Sequence, residues 1–193
     1  MRKPAPTDHP VHELISERWS PRAFGEAAVG DSELGSLFEA ARWASSCFNE
    51  QPWMYVWARR GTPAFDGLLS ALVEANQAWA QHASVLIFGV ARTAFRRNGK
   101  PNGWAQYDLG QATAQLVLQG TALGLVAHQM AGFDPGRAAE VMGLVEGEQP
   151  LVAVALGWPT DDLGKLVEPL ADRETAPRAR QPQAVFVFEG RAR

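Results

Sequence analysis

The sequence predicts an α+β fold: a mixed α/β sheet with helices on its faces and one long central helix. Three observations carry that prediction. Two near-continuous apolar runs, at 83–91 and 151–157, have the length and density of strands covered on both faces. The stretch 104–123 has the longest helical pattern, and small or apolar residues cover most of its circumference. Shorter helix and strand signals alternate along the rest of the chain.

The 193 residues suit a single domain, and 46% hydrophobic with 20% charged residues is ordinary for a packed core. A net charge of −3 points neither to nucleic acid nor to an anionic membrane. The one cysteine, Cys47, excludes an internal disulfide and a cysteine-based zinc site. The N-terminus lacks a signal-peptide core, and no apolar run approaches bilayer length, so a soluble cytoplasmic protein is expected.

Residues 1–10 are Pro-rich and polar and read as a loose arm. A short helix follows over 11–18, with Val11, Leu14, Ile15 and Arg18 on one side. Pro21 disfavours helix at Ser20, so 19–24 is expected to be extended. Alternation then points Arg18, Ser20 and Arg22 the same way. Two guanidiniums around a hydroxyl make either an oxyanion site or a pair of solvated arginines. Asp31 or Ser32 caps a helix over 31–44, with Leu34, Leu37, Phe38 and Ala41 as its apolar stripe. Next comes the loop Ser45-Ser46-Cys47-Phe48-Asn49-Glu50-Gln51-Pro52-Trp53. Its hydroxyls and amides either meet a ligand or bond their own backbone.

A strand is expected at 54–59, then a helix over 62–73 with Thr62 as cap and Pro63 at its first position. Residues 74–82 either continue that helix or begin another. The buried strand 83–91 leads to a basic, turn-rich loop at 92–103, read as exposed. The helix 104–123 carries Asp108 near its positive end. Its apolar circumference predicts burial all round, through a core shared with a second subunit. A strand at 125–130, a turn at Ala131-Gly132-Phe133 and a helix from Asp134-Pro135 to 142 follow. After the strand 151–157 come a polar connection at 159–177 and a last short strand at 184–188.

Several chemistries find no support. No GxGxxG follows a strand, Gly99-Lys100 runs into Pro101 rather than Ser or Thr, and no GxSxG occurs. The four histidines are scattered at 9, 12, 82 and 128, so no zincin helix exists and no metal is expected. Cys47 with His82 or His128 as base gains nothing from spacing, and a packed thiol is the simpler reading. What remains is Arg18, Ser20 and Arg22 early, Arg178 and Arg180 late, and a polar loop between them: groups for one phosphate and a polar heterocycle.

In that order the chain resembles the nitroreductase-like family of FMN-dependent oxidoreductases over nearly its whole length. Arg18-Trp19-Ser20-Pro21-Arg22 resembles the family's Arg-x-Ser-x-Arg/Lys signature. Ser45 to Trp53 resembles its Ser-Ser-…-Asn-x-Gln-Pro-Trp loop, and Asp108-Leu109-Gly110-Gln111-Ala112 the opening of its dimer helix. Asn76 stands where the family carries a flavin-contacting Asn. Ala131-Gly132-Phe133-Asp134 resembles its Glu-Gly-Phe-Asp turn, and Arg178-Ala179-Arg180 its late basic pair.

The resemblance implies a nitroreductase-like sheet flanked by helices, in one FMN-binding domain over 1–193. The long helix then lies at a homodimer interface. Arg18, Ser20, Arg178 and Arg180 would hold the FMN phosphate, with Trp19 beside them. Arg22 would lie at the pyrimidine edge, where positive charge stabilises the reduced flavin. Asn76 would bond the ring, and Met130, Ala131 and Gly132 would lie near its hydride-accepting nitrogen. Ser45, Ser46, Cys47 and Asn49 would reach the flavin held mainly by the other subunit. No catalytic side chain is implied, because the cofactor does the hard chemistry. The activity implied is NAD(P)H oxidation with ping-pong transfer to nitroaromatics or quinones. The alternatives are a flavin-dependent dehydrogenase or reductive dehalogenase, or an FMN-binding protein without turnover. The departures are Trp79 in place of a Lys near the flavin, Ala131 in place of Glu, and a polar loop longer through Cys47-Phe48. The first removes a cation near the pyrimidine, and the second leaves the substrate face more apolar.

Overall fold

The computed structural model describes residues 2–192. Four strands, β1 (Trp53–Arg59), β2 (Val85–Arg92), β3 (Val126–Met130) and β4 (Glu148–Gly157), form one sheet in the order β1-β2-β4-β3. Every neighbouring pair is antiparallel. Seven helices accompany them: α1 (Glu13–Glu17), α2 (Asp31–Arg42), α3 (Pro63–Ser70), α4 (Glu74–Ala80), α5 (Ala105–Ala122), α6 (Pro135–Met142) and α7 (Leu170–Thr175). The α+β class expected from the sequence is the one observed.

The two apolar runs became the central strands β2 and β4. Along β2, Val85 and Ile87 join the core under α2 and α5, while Leu86 and Phe88 join the core under α3, α4 and α6. Along β4, Val154 and Leu156 face the first layer, and Ala153 and Ala155 the second. A run without polar residues therefore reports two covered faces and is silent about strand direction. At Gly89 the register between β2 and β4 shifts. A Cβ there would fall 2.8 Å from Val152 Cγ1 and 3.3 Å from Leu109 Cδ1, so a bare backbone lets α5 close on the sheet.

Local signals set most helix ends. Thr62 Oγ1 accepts from the N–H of Phe65, with Pro63 opening α3. Asp134 Oδ1 accepts from the N–H of Arg137, and Gly143 closes α6 at φ 65°. α3 and α4 are separate helices, because the N–H of Val73 bonds Gly132 O and Leu72 bridges to Phe133. The cap expected at Asp31 or Ser32 is absent. Gly30 holds the N-cap position without a side-chain bond, and Asp31 pairs instead with Arg59.

Three further expectations are corrected. The polar connection at 159–177 contains α7, whose short span left no clear periodicity. The last strand is not formed. Gln183–Val185 is a single 3-10 turn, and Val185, Phe186 and Val187 stay exposed. Strand-forming residues need a partner edge, and among the described residues no strand pairs with them. The arm is tied down at residues 3–5: the N–H of Ala5 bonds Ser16 O, and Lys3 Nζ donates to Glu174 O. Met1 of that arm lies outside the described residues. Within one chain, α5 is covered on one side. Leu109, Ala112 and Leu116 face the sheet, while Tyr107, Gly110 and Ala114 are exposed.

Leu116, fully buried between α5 and the sheet, gives the first prediction. Leu116→Ala should cost about 2–5 kcal/mol, read as a lowered urea midpoint with an unchanged slope. A loss under ~1 kcal/mol would contradict this packing.

Candidate functional site

The nominated residues fall into two groups: in the first Arg18 and Trp19 line one cleft and Arg178 and Arg180 another, and in the second Ser45, Ser46 and Cys47 line a third. The first gathers at the end of α1. Arg18 leaves the helix with extended backbone (φ −60°, ψ 121°), and its Nη1 donates to Ser20 Oγ at 3.1 Å. Arg178 approaches from the far end of the chain and is spent on backbone. Its Nη1 donates to Lys3 O and Ser16 O, both at 2.7 Å, and its Nη2 to Arg18 O at 2.9 Å. Arg180 donates only to the adjacent Ala179 O, and its side chain is exposed. Burial, then the charges of Arg178 and Arg180, lower the pKa of Arg18. Burial, then Arg180, does the same to Arg178. Three guanidiniums are thus held close enough to repel, an arrangement that a dianion between them would stabilise. Trp19 lines the cleft beside Arg18, with Lys3 Nζ 5.0 Å over its ring.

Arg22 does not extend the row of Arg18 and Ser20. Its N–H donates to Glu174 Oε1 at 2.5 Å, and its guanidinium lies 3.7 Å from that oxygen and over the Trp79 ring. Trp79 is 2% exposed, packed between Phe24 and His128. The position read as a missing cation is therefore a core aromatic beneath Arg22. On the same helix α4, Asn76 Nδ2 donates to Gly132 O at 3.0 Å. A Cβ on Gly132 would fall 2.6 Å from that nitrogen, so a glycine is required for the two to meet. Ala131 is exposed next to them, whereas the Met130 side chain is in the core and offers only its backbone.

The second group is the loop after α2. Ser45 Oγ donates to Gln111 Oε1 at 2.8 Å, and the N–H of Cys47 bonds Asp108 Oδ2 at 3.1 Å. Ser46 Oγ accepts from the N–H of Gln51. Phe48, Asn49 and Gln51 all have φ between 51° and 54°, a region that non-glycine residues enter only under constraint. The constraint comes from below: Asp108 is 2% exposed, and Glu50 is buried against the N–H of Arg96. With its backbone bonded from α5, this loop leaves Asn49 exposed and Ser45, Ser46 and Cys47 lining a cleft with Trp104, Tyr107 and Asp108. The sequence reading had put Asp108 at the helix dipole and left Glu50 and Glu174 unused. A carboxylate beside a polar loop is a weak hint for the first two. No local signal marks Glu174.

A Cys–His pair is not formed. His128 belongs to the first group, with Nδ1 3.0 Å from Pro21 O and its ring 4.6 Å from Trp79, while Cys47 belongs to the second. Among the described residues no cluster of His, Cys, Asp and Glu can hold a metal, and no helix is long and apolar enough to cross a membrane.

Fold and site together define an α+β protein with a cationic cluster at one place and a polar loop held off a long helix at another. The model of the nitroreductase family matches residues 15–158, and the chain belongs to that family. A solved structure described as an oxidoreductase containing FMN is 36% identical, with a TM-score of 0.91 over 97% of this chain and 95% of its own. A nitroreductase family protein from Clostridium difficile 630 shares the fold at 21% identity, with a TM-score of 0.72 over 93% of this chain and 97% of its own. An uncharacterized 15.4 kDa protein in the ask 5' region of Mycolicibacterium smegmatis is 35% identical over 64% of this chain and 81% of its own length.

His128 supplies a pH prediction. Burial first, then the charge of Arg22, lowers its pKa from 6.5 to about 4. The unfolded chain takes the proton near the ordinary value and the folded chain resists it. Its contribution to stability is therefore complete above the ordinary value and is lost as pH falls from there toward about 4. Over that window the loss reaches up to about 1.4 kcal/mol per pH unit. Thermal midpoints should fall with acid more steeply in the natural protein than in His128→Gln; parallel curves would contradict the assignment.

Proposed function

We propose that the chain is an FMN-dependent oxidoreductase, one nitroreductase-like FMN-binding domain that works as a homodimer in the cytoplasm. Its electron donor is NAD(P)H and its acceptors are electron-poor molecules such as nitroaromatics and quinones. The observation that carries the reading is the convergence of Arg18 and Arg178 from the two ends of the chain, joined where Arg178 Nη2 donates to Arg18 O at 2.9 Å, with Arg180 two residues on. The likeness to an oxidoreductase containing FMN supports it.

The roles divide among the residues. Arg178 holds three backbone carbonyls in place and so shapes the cradle. Arg18, Ser20 and Arg180 keep donors for the phosphate, with Trp19 as the cleft wall. Asn76 and Gly132 are bonded to each other where the ring and its reactive nitrogen would lie, beside exposed Ala131. Arg22 meets the pyrimidine edge. FMN supplies the two-electron chemistry, so no side chain of the protein has to act as acid or base.

Within one chain the Ser45–Asn49 loop lies in a cleft separate from the arginines. In the homodimer Ser45, Ser46, Cys47 and Asn49 of the second copy complete the site. The exposed side of α5, with Tyr107, Gly110 and Ala114, is the surface where two copies pack.

The purified protein should be yellow or become so with FMN, and should elute as a dimer. A colourless protein that stays colourless with added FMN would sink this reading. Arg180→Ala should weaken FMN binding by about 1.5–3 kcal/mol, the range for a charge-assisted bond, measured by flavin fluorescence titration. Arg178→Ala should lower thermal stability as well, because its donors serve the backbone. Equal effects of both on stability would refute that division.

A further inference from the structure

Glu174 is the most deeply buried carboxylate among the described residues, at 1% exposure. It sits in α7 and reaches back to a residue 152 positions earlier. One oxygen, Oε1, accepts from the N–H of Arg22 and faces its guanidinium at 3.7 Å. The other, Oε2, has no hydrogen-bond partner among the described residues. Burial pushes the carboxyl up, and the bond from Arg22, its charge and that of Lys3 resist this. A buried ion pair of this kind is a poor way to gain stability, since apolar residues of the same size often do as well. A neutral amide would have served the N–H of Arg22. What the carboxylate adds is its effect on a cation.

That cation is held from several sides. Arg22 lies 5.9 Å over the face of Trp79, beside Glu174, with its side chain 24% exposed. Behind Trp79 stands His128, which Arg22 helps to keep unprotonated. The charge that Arg22 presents to the site is therefore directed by Trp79 and reduced by Glu174.

We propose that Glu174 is a positioning residue for the flavin's pyrimidine edge: it fixes Arg22 on the Trp79 face and offsets its charge, and so sets the reduction potential. This rests on the proposed FMN function and on Arg22 at that edge. Negative charge gained on reduction is stabilised by a cation nearby, and Glu174 tempers that effect.

The test is the midpoint potential of the FMN-loaded dimer, measured against a reference dye. Glu174→Gln keeps the volume and an acceptor for the Arg22 N–H but removes the charge. The reduced-to-oxidised ratio at a fixed dye ratio should rise about tenfold, roughly 30 mV for a two-electron couple. FMN affinity should change less than about threefold. In an Arg22→Gln background the same substitution should have little effect, because the two residues act as a unit. Should Glu174→Gln not accumulate as folded protein, Glu174→Asp withdraws the charge by one methylene and should shift the ratio the same way, by less. A folded, FMN-loaded variant with a lower melting temperature and the natural potential overturns the proposal, since it leaves Glu174 a structural role alone. If the natural protein takes up no FMN, the proposed function fails first, before Glu174 is altered, and the tuning falls with it.

Discussion

Everything in this molecule depends on two central strands that have no wet face. β2 and β4 bury side chains on both sides of the sheet, so both sides must be roofed by helices. The α2–α5 layer covers one face and the α3–α4–α6 layer the other. The candidate site uses both roofs. The α5 layer supplies Asp108 and Gln111, which hold the polar loop. The opposite layer supplies Asn76 and Trp79 from α4. One hydrophobic requirement thus places two groups of polar residues on opposite faces of the same sheet.

The second constraint is charge. Arg18, Arg178 and Arg180 are brought together although they repel, and the cost is offset locally by backbone carbonyls that accept from Arg178. Arg22 is handled differently. It sits over a buried indole and beside a buried carboxylate that offsets its charge. The chain thus holds a concentrated positive patch of the kind that binds oxyanions and, apart from it, a single cation paired with a carboxylate.

The backbone around Phe48, Asn49 and Gln51 adds a mechanical element. Three non-glycine residues at positive φ persist because Asp108 and Glu50 bond the loop from beneath. A loop held in this way loses little freedom on meeting a ligand.

The sequence by itself determined the four strands, the two layers' main helices and the two caps at Thr62 and Asp134. Each of these follows from a period or a cap, and such signals are local. Its ordered motifs also marked Arg18, Ser20, the polar loop, Asn76 and Arg178-x-Arg180 as one set. Tertiary structure decided the rest. It made Arg178 a backbone clamp, buried Trp79 beneath Arg22, and kept residues 184–188 out of the sheet. It also set Glu174 against Arg22 across 152 positions. Partners that distant are chosen by how the layers close. A carboxylate in a short polar helix carries no trace of the cation it will meet.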